Sequence, residues 1–312
     1  MKALVTGGAG FIGSNIASSL IERGYDVRVI DDLSSGYQEN LRNYLEQGRI
    51  EFIRGDVRDM ASLDAAMSGG VDVVFHLAAS VGRQRSLDNP RTDSEINLIG
   101  TVNVLEAMRK HHVPRIVYSS SAAMFGELIT PTIDEEHPQN ADSPYGVSKL
   151  AAEKMILAYA GIYGFTGVCL RYFNIYGINQ RYDLYGNVIP IFAKRIYSNE
   201  NMLIYGDGLQ TRDFVNVKDV AKANIIAAEN ATKTDVYNIG SGQSVTINWL
   251  AETMKRISGK DVSIEHVPER PADVRHCKAN AGKIYNELGF KTEIGLEDGL
   301  EEYMKWYEEN CI

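Results

Sequence analysis

The chain is 312 residues long, 44% hydrophobic and 23% charged, with a net charge of −9; that length points to two lobes rather than one core. No apolar run is long enough to cross a bilayer, and the acidic balance argues against a nucleic-acid partner, which selects for a basic face. Three scattered cysteines, Cys169, Cys277 and Cys311, lack metal spacing, and the start at Met1 runs straight into a strand rather than a cleavable leader, so a reducing, cytoplasmic setting with no bound metal is expected.

Through the first 170 residues or so, strand-length apolar runs alternate with helix-length amphipathic stretches. Strands are predicted over Lys2–Thr6, Asp26–Ile30, Ile50–Arg54, Val71–Leu77, Arg115–Ser119 and Gly167–Tyr172, with helices over Phe11–Arg23, Met60–Met67, Thr92–His112 and Tyr145–Tyr163. That alternation implies βαβ units and an α/β, doubly wound parallel sheet. Beyond Tyr172 the pattern becomes irregular: a helix near Val188–Ser198, short strands around Met202–Tyr205 and Phe214–Val217, and a terminal helix over Leu296–Glu309. The expected division is a Rossmann domain over residues 1–173, rejoined by segments near 214–240, and a smaller α/β substrate lobe over 174–312.

Gly7, Gly10 and Gly13 fall directly between the first strand and the first helix. Without side chains the turn can close and its backbone can approach a pyrophosphate, whose charge rests against the helix N-terminus. Asp31 follows 18 residues after Gly13, at the end of the second strand, where a carboxylate holds an adenosine ribose and repels a 2′-phosphate, favouring NAD over NADP. Asp56 and Val57, after the third strand, are an adenine contact. His76 reads as a structural histidine.

Ser143 and Pro144 read as the cap and first residue of a helix that places Tyr145 and Lys149 on one face. An ammonium beside a phenol favours phenolate, so the pair can serve as a base at neutral pH. Ser121, closing the fifth strand at the ligand-binding edge, can hydrogen-bond the same substrate oxygen.

The glycine turn, Asp31, Ser121, Tyr145 and Lys149, in that order, resemble the extended short-chain dehydrogenase/reductase family. Within it the chain looks like the nucleotide-sugar 4-epimerases, through Thr6–Gly13, Ser119-Ser120-Ser121-Ala122, Ser143-Pro144-Tyr145-Gly146, Leu170-Arg171-Tyr172-Phe173-Asn174 and Tyr205-Gly206-Asp207-Gly208. The resemblance implies NAD contacts from Gly7, Gly10, Phe11, Ile12, Gly13, Asp31, Asp56, Val57, Leu77, Ala78, Ala79, Asn97, Tyr145, Lys149 and Tyr172. It implies catalysis by Ser121, Tyr145 and Lys149, and a UDP-hexose held by Ser121, Asn174, Gln180, Asn187, Val188, Tyr205, Arg212, Arg270, Asp273 and Cys277. Arg212 and Arg270 would clamp the diphosphate, and a homodimer is expected. The implied reaction removes the sugar 4-hydroxyl proton at Tyr145 while the C4 hydride passes to NAD, then returns that hydride to the other face of a 4-keto sugar. Related 4,6-dehydratases carry an Asp-Glu pair where this chain has Ala122 and Ala123, so dehydration is disfavoured.

By the same resemblance, sugar choice turns on four residues. The small Cys277 leaves room for a 2-acetamido group, and Asn174 with Gln180 resembles the N-acetyl-preferring subgroup, which gives UDP-GlcNAc/UDP-GalNAc together with UDP-glucose/UDP-galactose. Arg181 offers a partner for a C6 carboxylate and keeps a UDP-glucuronate 4-epimerase as an alternative. A non-catalytic, NAD-sensing regulator on the same fold is the alternative of another class.

Overall fold

The computed structural model describes residues 1–126, 129–130, 132–183, 186–269 and 275–312. Its first six strands are β1 (Lys2–Thr6), β2 (Asp26–Asp31), β3 (Ile50–Arg54), β4 (Val73–His76), β5 (Arg115–Ser121) and β6 (Thr166–Tyr172). They alternate with α1 (Phe11–Glu22), α2 (Arg42–Glu46), α3 (Met60–Met67), α4 (Arg83–Asp88), α5 (Pro90–Ser94), α6 (Gly100–His111) and α7 (Pro144–Tyr163). The second half adds β7 (Asn174–Tyr176), α8 (Val188–Tyr197), β8 (Met202–Tyr205), β9 (Thr211–Asn216), α9 (Val217–Asn230), β10 (Asp235–Ile239) and β11 (Ser244–Thr246). It closes with α10 (Ile247–Ser258), β12 (Ile264–Val267), α11 (Gly282–Leu288) and α12 (Leu296–Cys311).

Seven parallel strands make the main sheet in the order β10-β6-β5-β4-β1-β2-β3. Helices cover both faces, which is why the middles of β1 and β4 are apolar. On one face Ile16, Leu20, Val220 and Ala223 of α1 and α9 pack on Val5, Val29 and Val117. On the other, Leu63, Val104, Met108, Ala152 and Ile156 of α3, α6 and α7 pack on Leu4, Val74 and Ile116. The strand order reverses between β1 and β4, so a crevice opens there at the carboxyl ends of the strands, where such sheets bind ligands.

The remaining strands form a β11-β9-β7 sheet and a β12-β8 pair around a second core that includes Phe192, Ile204, Phe214, Leu250, Tyr303 and Tyr307. Phe173 leaves β6 and the chain passes directly into β7, so the two sheets are joined at the crevice. Several elements differ from the sequence expectation. The stretch read as one helix over Thr92–His112 is α5 and α6 separated by a π turn at Glu95–Ile99, and Pro90 opens it two residues earlier. Strand β5 runs on to Ser121, which places that serine on the sheet rather than after it.

Candidate active site

The nucleotide side is built from bare backbone. Gly7 has φ +67°, and a Cβ there would lie 2.7 Å from the Ala78 nitrogen. A Cβ at Gly13 would collide with the Gly7 carbonyl, so only glycine lets α1 start this close to β1. Gly10 caps α1 without a side chain, leaving the first-turn N–H groups free of any side-chain cap and pointing outward. Asp31 ends β2 and is 7% exposed. Its two oxygens accept the Ala9 N–H at 2.9 Å and the Leu33 N–H at 2.8 Å, each retaining a lone pair for a ribose hydroxyl. Burial raises the Asp31 pKa, and the two backbone hydrogen bonds oppose that rise. Asp56 instead grips Arg58, whose guanidinium holds its carboxyl below the usual range. Val57 is 5% exposed beneath it.

His76 is fully buried between Thr6 Oγ1 at 2.7 Å and Thr101 Oγ1 at 2.9 Å, and burial pulls its pKa down to about 3. It is a neutral structural histidine. Thr6 Oγ1 also accepts the Leu77 and Ala78 N–H groups at 3.1 and 3.2 Å, which draws the Leu77–Ala79 loop against the glycine turn.

On the opposite wall, Ser143 Oγ accepts the Gly146 N–H at 3.2 Å and Pro144 occupies the first helical position of α7. Gly146 lies against the Ala123 carbonyl with no room for a Cβ, which seats α7 on the turn that follows Ser121. The Ser121 hydroxyl is thereby brought near enough to Tyr145 to bear on its proton. Burial raises Tyr145 to about 12, Ser121 lowers it and Asp93 raises it. One helical turn on from Tyr145, the Lys149 Nζ lies 4.5 Å over the Tyr118 ring.

A buried ion pair fixes this wall. Arg171, 1% exposed, meets both oxygens of the fully buried Glu153 at 2.6 and 3.1 Å, and Ser120 Oγ donates to Glu153 at 2.8 Å. Arg171 thus ties β6, β5 and α7 together next to Ser121, which gives the Leu170–Asn174 motif a physical purpose.

The sugar side gathers Asn174, Cys277 and Arg212. Asn174 lies close enough to Cys277 to bear on its thiol, and its Nδ2 donates to the Asp213 carbonyl at 3.0 Å, while the Arg212 charge also bears on that thiol. The Asp213 side chain, fully buried, accepts N–H groups from Ser241, Gly242 and Ala279 at 2.8 to 3.0 Å, clamping the segment that carries Cys277 onto β9. Asp207 grips Arg275 through two 2.7 Å bonds from the other end of that segment. Tyr205 ends β8, and Asn187 and Val188 open α8. Arg270 and Asp273 lie outside the described residues.

Four further sequence-singled residues have partners within the chain. Gln180 is buried with Nε2 donating to the Ile175 carbonyl at 3.2 Å. Tyr172 directs its hydroxyl to Asn224. Asn97 hydrogen-bonds Ser80, Asp93 and Ser148 and so holds the loop after β4. Arg181 caps the end of α12, donating to the Asn310 carbonyl at 3.1 Å with its guanidinium over the Tyr37 and Trp306 rings. Sequence reasoning passed over Asp93, which looks like a helix-surface charge, and Arg85, whose 2.5 Å pair with Asp183 bridges α4 to the loop before α8.

A glycine-lined crevice with a ribose-binding carboxylate, facing a serine–tyrosine pair with a lysine one turn on, defines a dinucleotide-dependent enzyme that moves protons and hydride at a hydroxyl carbon. Residues 3–240 match the NAD dependent epimerase/dehydratase family, and the chain belongs to that family, with NAD as its cofactor. It is 35% identical to a UDP-glucose 4-epimerase from Thermotoga maritima solved with UDP-glucose, with a TM-score of 0.94 over 100% of both chains. It is also 35% identical to a UDP-N-acetylglucosamine 4-epimerase from Methanobrevibacter ruminantium in complex with UDP-N-acetylmuramic acid, with a TM-score of 0.94 over 99% of both. A UDP-glucuronate 4-epimerase from Thermodesulfobacterium geofontis is 32% identical over 98% of this chain and 96% of its own.

Proposed function

We propose that the protein is a UDP-hexose 4-epimerase acting on UDP-GlcNAc/UDP-GalNAc and on UDP-glucose/UDP-galactose. The observation that carries this is the placing of Ser121 at the carboxyl end of β5 beside Tyr145 at the start of α7, across the crevice from the bare glycine turn. NAD, when bound, would supply a reversible hydride acceptor for the sugar carbon. Tyr145 removes the proton from the 4-hydroxyl and Ser121 holds that oxygen, while Lys149 supplies the positive charge that a phenol raised to about 12 needs. Arg212 secures the diphosphate, leaving the hexose free to present either face. Residues 1–173 carry the NAD half and 174–312 mainly the UDP-sugar half, with Asn187, Val188 and Tyr205 toward the nucleotide.

The neutral sugar is favoured over glucuronate because Arg181 is engaged by the end of α12 and the aromatic rings beside it. Cys277, small and close to Asn174, leaves space for the acetamido group. Ala122 and Ala123 offer no acid or base for dehydration. Each UDP-hexose incubated with the purified protein and followed by proton NMR tests this. Equilibration of UDP-GlcNAc and UDP-glucose is expected, and turnover of UDP-glucuronate alone would refute the neutral-sugar assignment.

Exposed Leu87, Ile99 and Val147 stand on neighbouring α4, the π turn and α7, an apolar face that fits a homodimer. Light scattering after gel filtration reads that. Among the described residues no helix is long and apolar enough to cross a membrane, and the three cysteines are unpaired thiols, which fits a cytoplasmic enzyme.

A further inference from the structure

Lys149 is 3% exposed, and a buried ammonium sheds its proton unless an anion faces it. The groups around it come from four other elements and its own. From β5 the Tyr118 ring lies 4.5 Å beneath Nζ. From β4 comes His76, held neutral by burial, and from β6 the buried Cys169, whose thiol is pushed well up and stays protonated. On α7 itself Tyr145 stands one turn back, and Glu153 one turn on is spent on Arg171. From α5 comes Asp93, 1% exposed.

Asp93 is an anchored carboxylate with uncharged partners. It accepts Ser148 Oγ at 2.6 Å and Asn97 Nδ2 at 3.1 Å, and Asn97 is itself tied to Ser80 at 2.8 and 3.0 Å. Ser148 adjoins Lys149 on α7, so the carboxylate is pinned at the base of the catalytic helix turn. We propose that Asp93 is a positioning residue: Ser148 and Asn97 fix its carboxylate so that it holds Lys149 as a cation for Tyr145 to use. This rests on the reading of Tyr145 and Lys149 as the catalytic pair.

The electrostatics agree with the geometry. Burial pulls Lys149 down to about 7, and Asp93 is the foremost influence opposing that fall. Lys149 in turn helps Asp93 stay ionised against its own burial. Asp93 also disfavours the Tyr145 phenolate directly, so its service to the reaction runs through the lysine.

The test titrates Lys149 in the NAD-loaded protein carrying lysine labelled at the ε-carbon, the signal assigned by its absence in Lys149→Arg. In Asp93→Asn the Lys149 signal should titrate about one pH unit lower, a roughly tenfold loss of proton affinity. Ser148→Ala should move it the same way by less. An unmoved signal in Asp93→Asn overturns the proposal; where that variant fails to fold, an unmoved signal in Ser148→Ala does so. The alkaline limb of kcat against pH should follow the signal downward. A signal that moves while the limb stays keeps Asp93 as the lysine's counter-charge and removes Lys149 from the catalytic reading, so the two failures are distinct.

Discussion

The two walls of the crevice are made of different material. The nucleotide wall is mainly backbone: Gly7, Gly10 and Gly13 contribute by having no side chain, and Asp31 adds a buried carboxylate. The catalytic wall is a stack of buried side chains, in which Ser121 and Tyr145 rest on Ser120, Glu153 and Arg171, and Lys149 rests on Tyr118, with Asp93 among the charges facing it. A backbone site tolerates changes beneath it and fails when a methyl group is added. A side-chain site fails when a distant partner is removed, because each buried charge was paid for by another.

The largest effect expected on the catalytic wall is from Tyr145→Phe, which removes the proton-transfer group but keeps the ring. Sugar turnover should fall by about 10²- to 10⁴-fold with the circular dichroism spectrum unchanged. Intact turnover would return the chain to the regulator class. Next is Glu153→Gln, which leaves the buried Arg171 charge without its carboxylate. A stability loss of about 3–5 kcal/mol in urea unfolding is expected, although Glu153 lies outside the crevice. Smaller again is Gly13→Ala on the nucleotide wall, where the added methyl meets the Gly7 carbonyl. It should cost roughly 1–3 kcal/mol and release NAD on gel filtration. If NAD stayed bound with native affinity, the backbone account of that wall would be wrong.

That contrast also decides what the sequence made legible. The parallel sheet and the glycine turn were readable because period and spacing encode backbone directly, from Lys2–Thr6 through Gly13 to the acid at Asp31. Ser121, Tyr145 and the α7 cap were readable for the same reason, since strand end and helix start place them. Asp93 was not, because the π turn between α5 and α6 leaves no mark in an amphipathic run read as one helix. The Asp213 clamp and the Arg85–Asp183 pair join segments far apart in sequence, so no local pattern announces them. Arg181 shows the converse: resemblance and its place after Gln180 suggested a sugar contact, and its guanidinium lies over the rings of Tyr37 and Trp306, residues far from it in sequence.

The smallest expected effect lies where the two walls meet, at His76 beneath the Leu77–Ala79 loop. Its pKa is about 3 in the folded chain, against an ordinary value near 6.5 in the unfolded chain. Between those values the unfolded chain binds a proton that the folded chain refuses, so the contribution is fully present above 6.5 and is lost as pH falls toward 3. One such proton steepens the decline in unfolding free energy by at most about 1.4 kcal/mol per pH unit. Carboxylates titrate in the same window, so the informative quantity is the difference from His76→Gln, measured by urea unfolding at successive pH values. The variant should be less stable at pH 7, having lost the Thr6 and Thr101 bonds, and should lose less on acidification. Parallel pH curves for the two proteins would mean that His76 is protonated in the folded chain, and that Thr6 and Thr101 hold it as a cation beside Lys149.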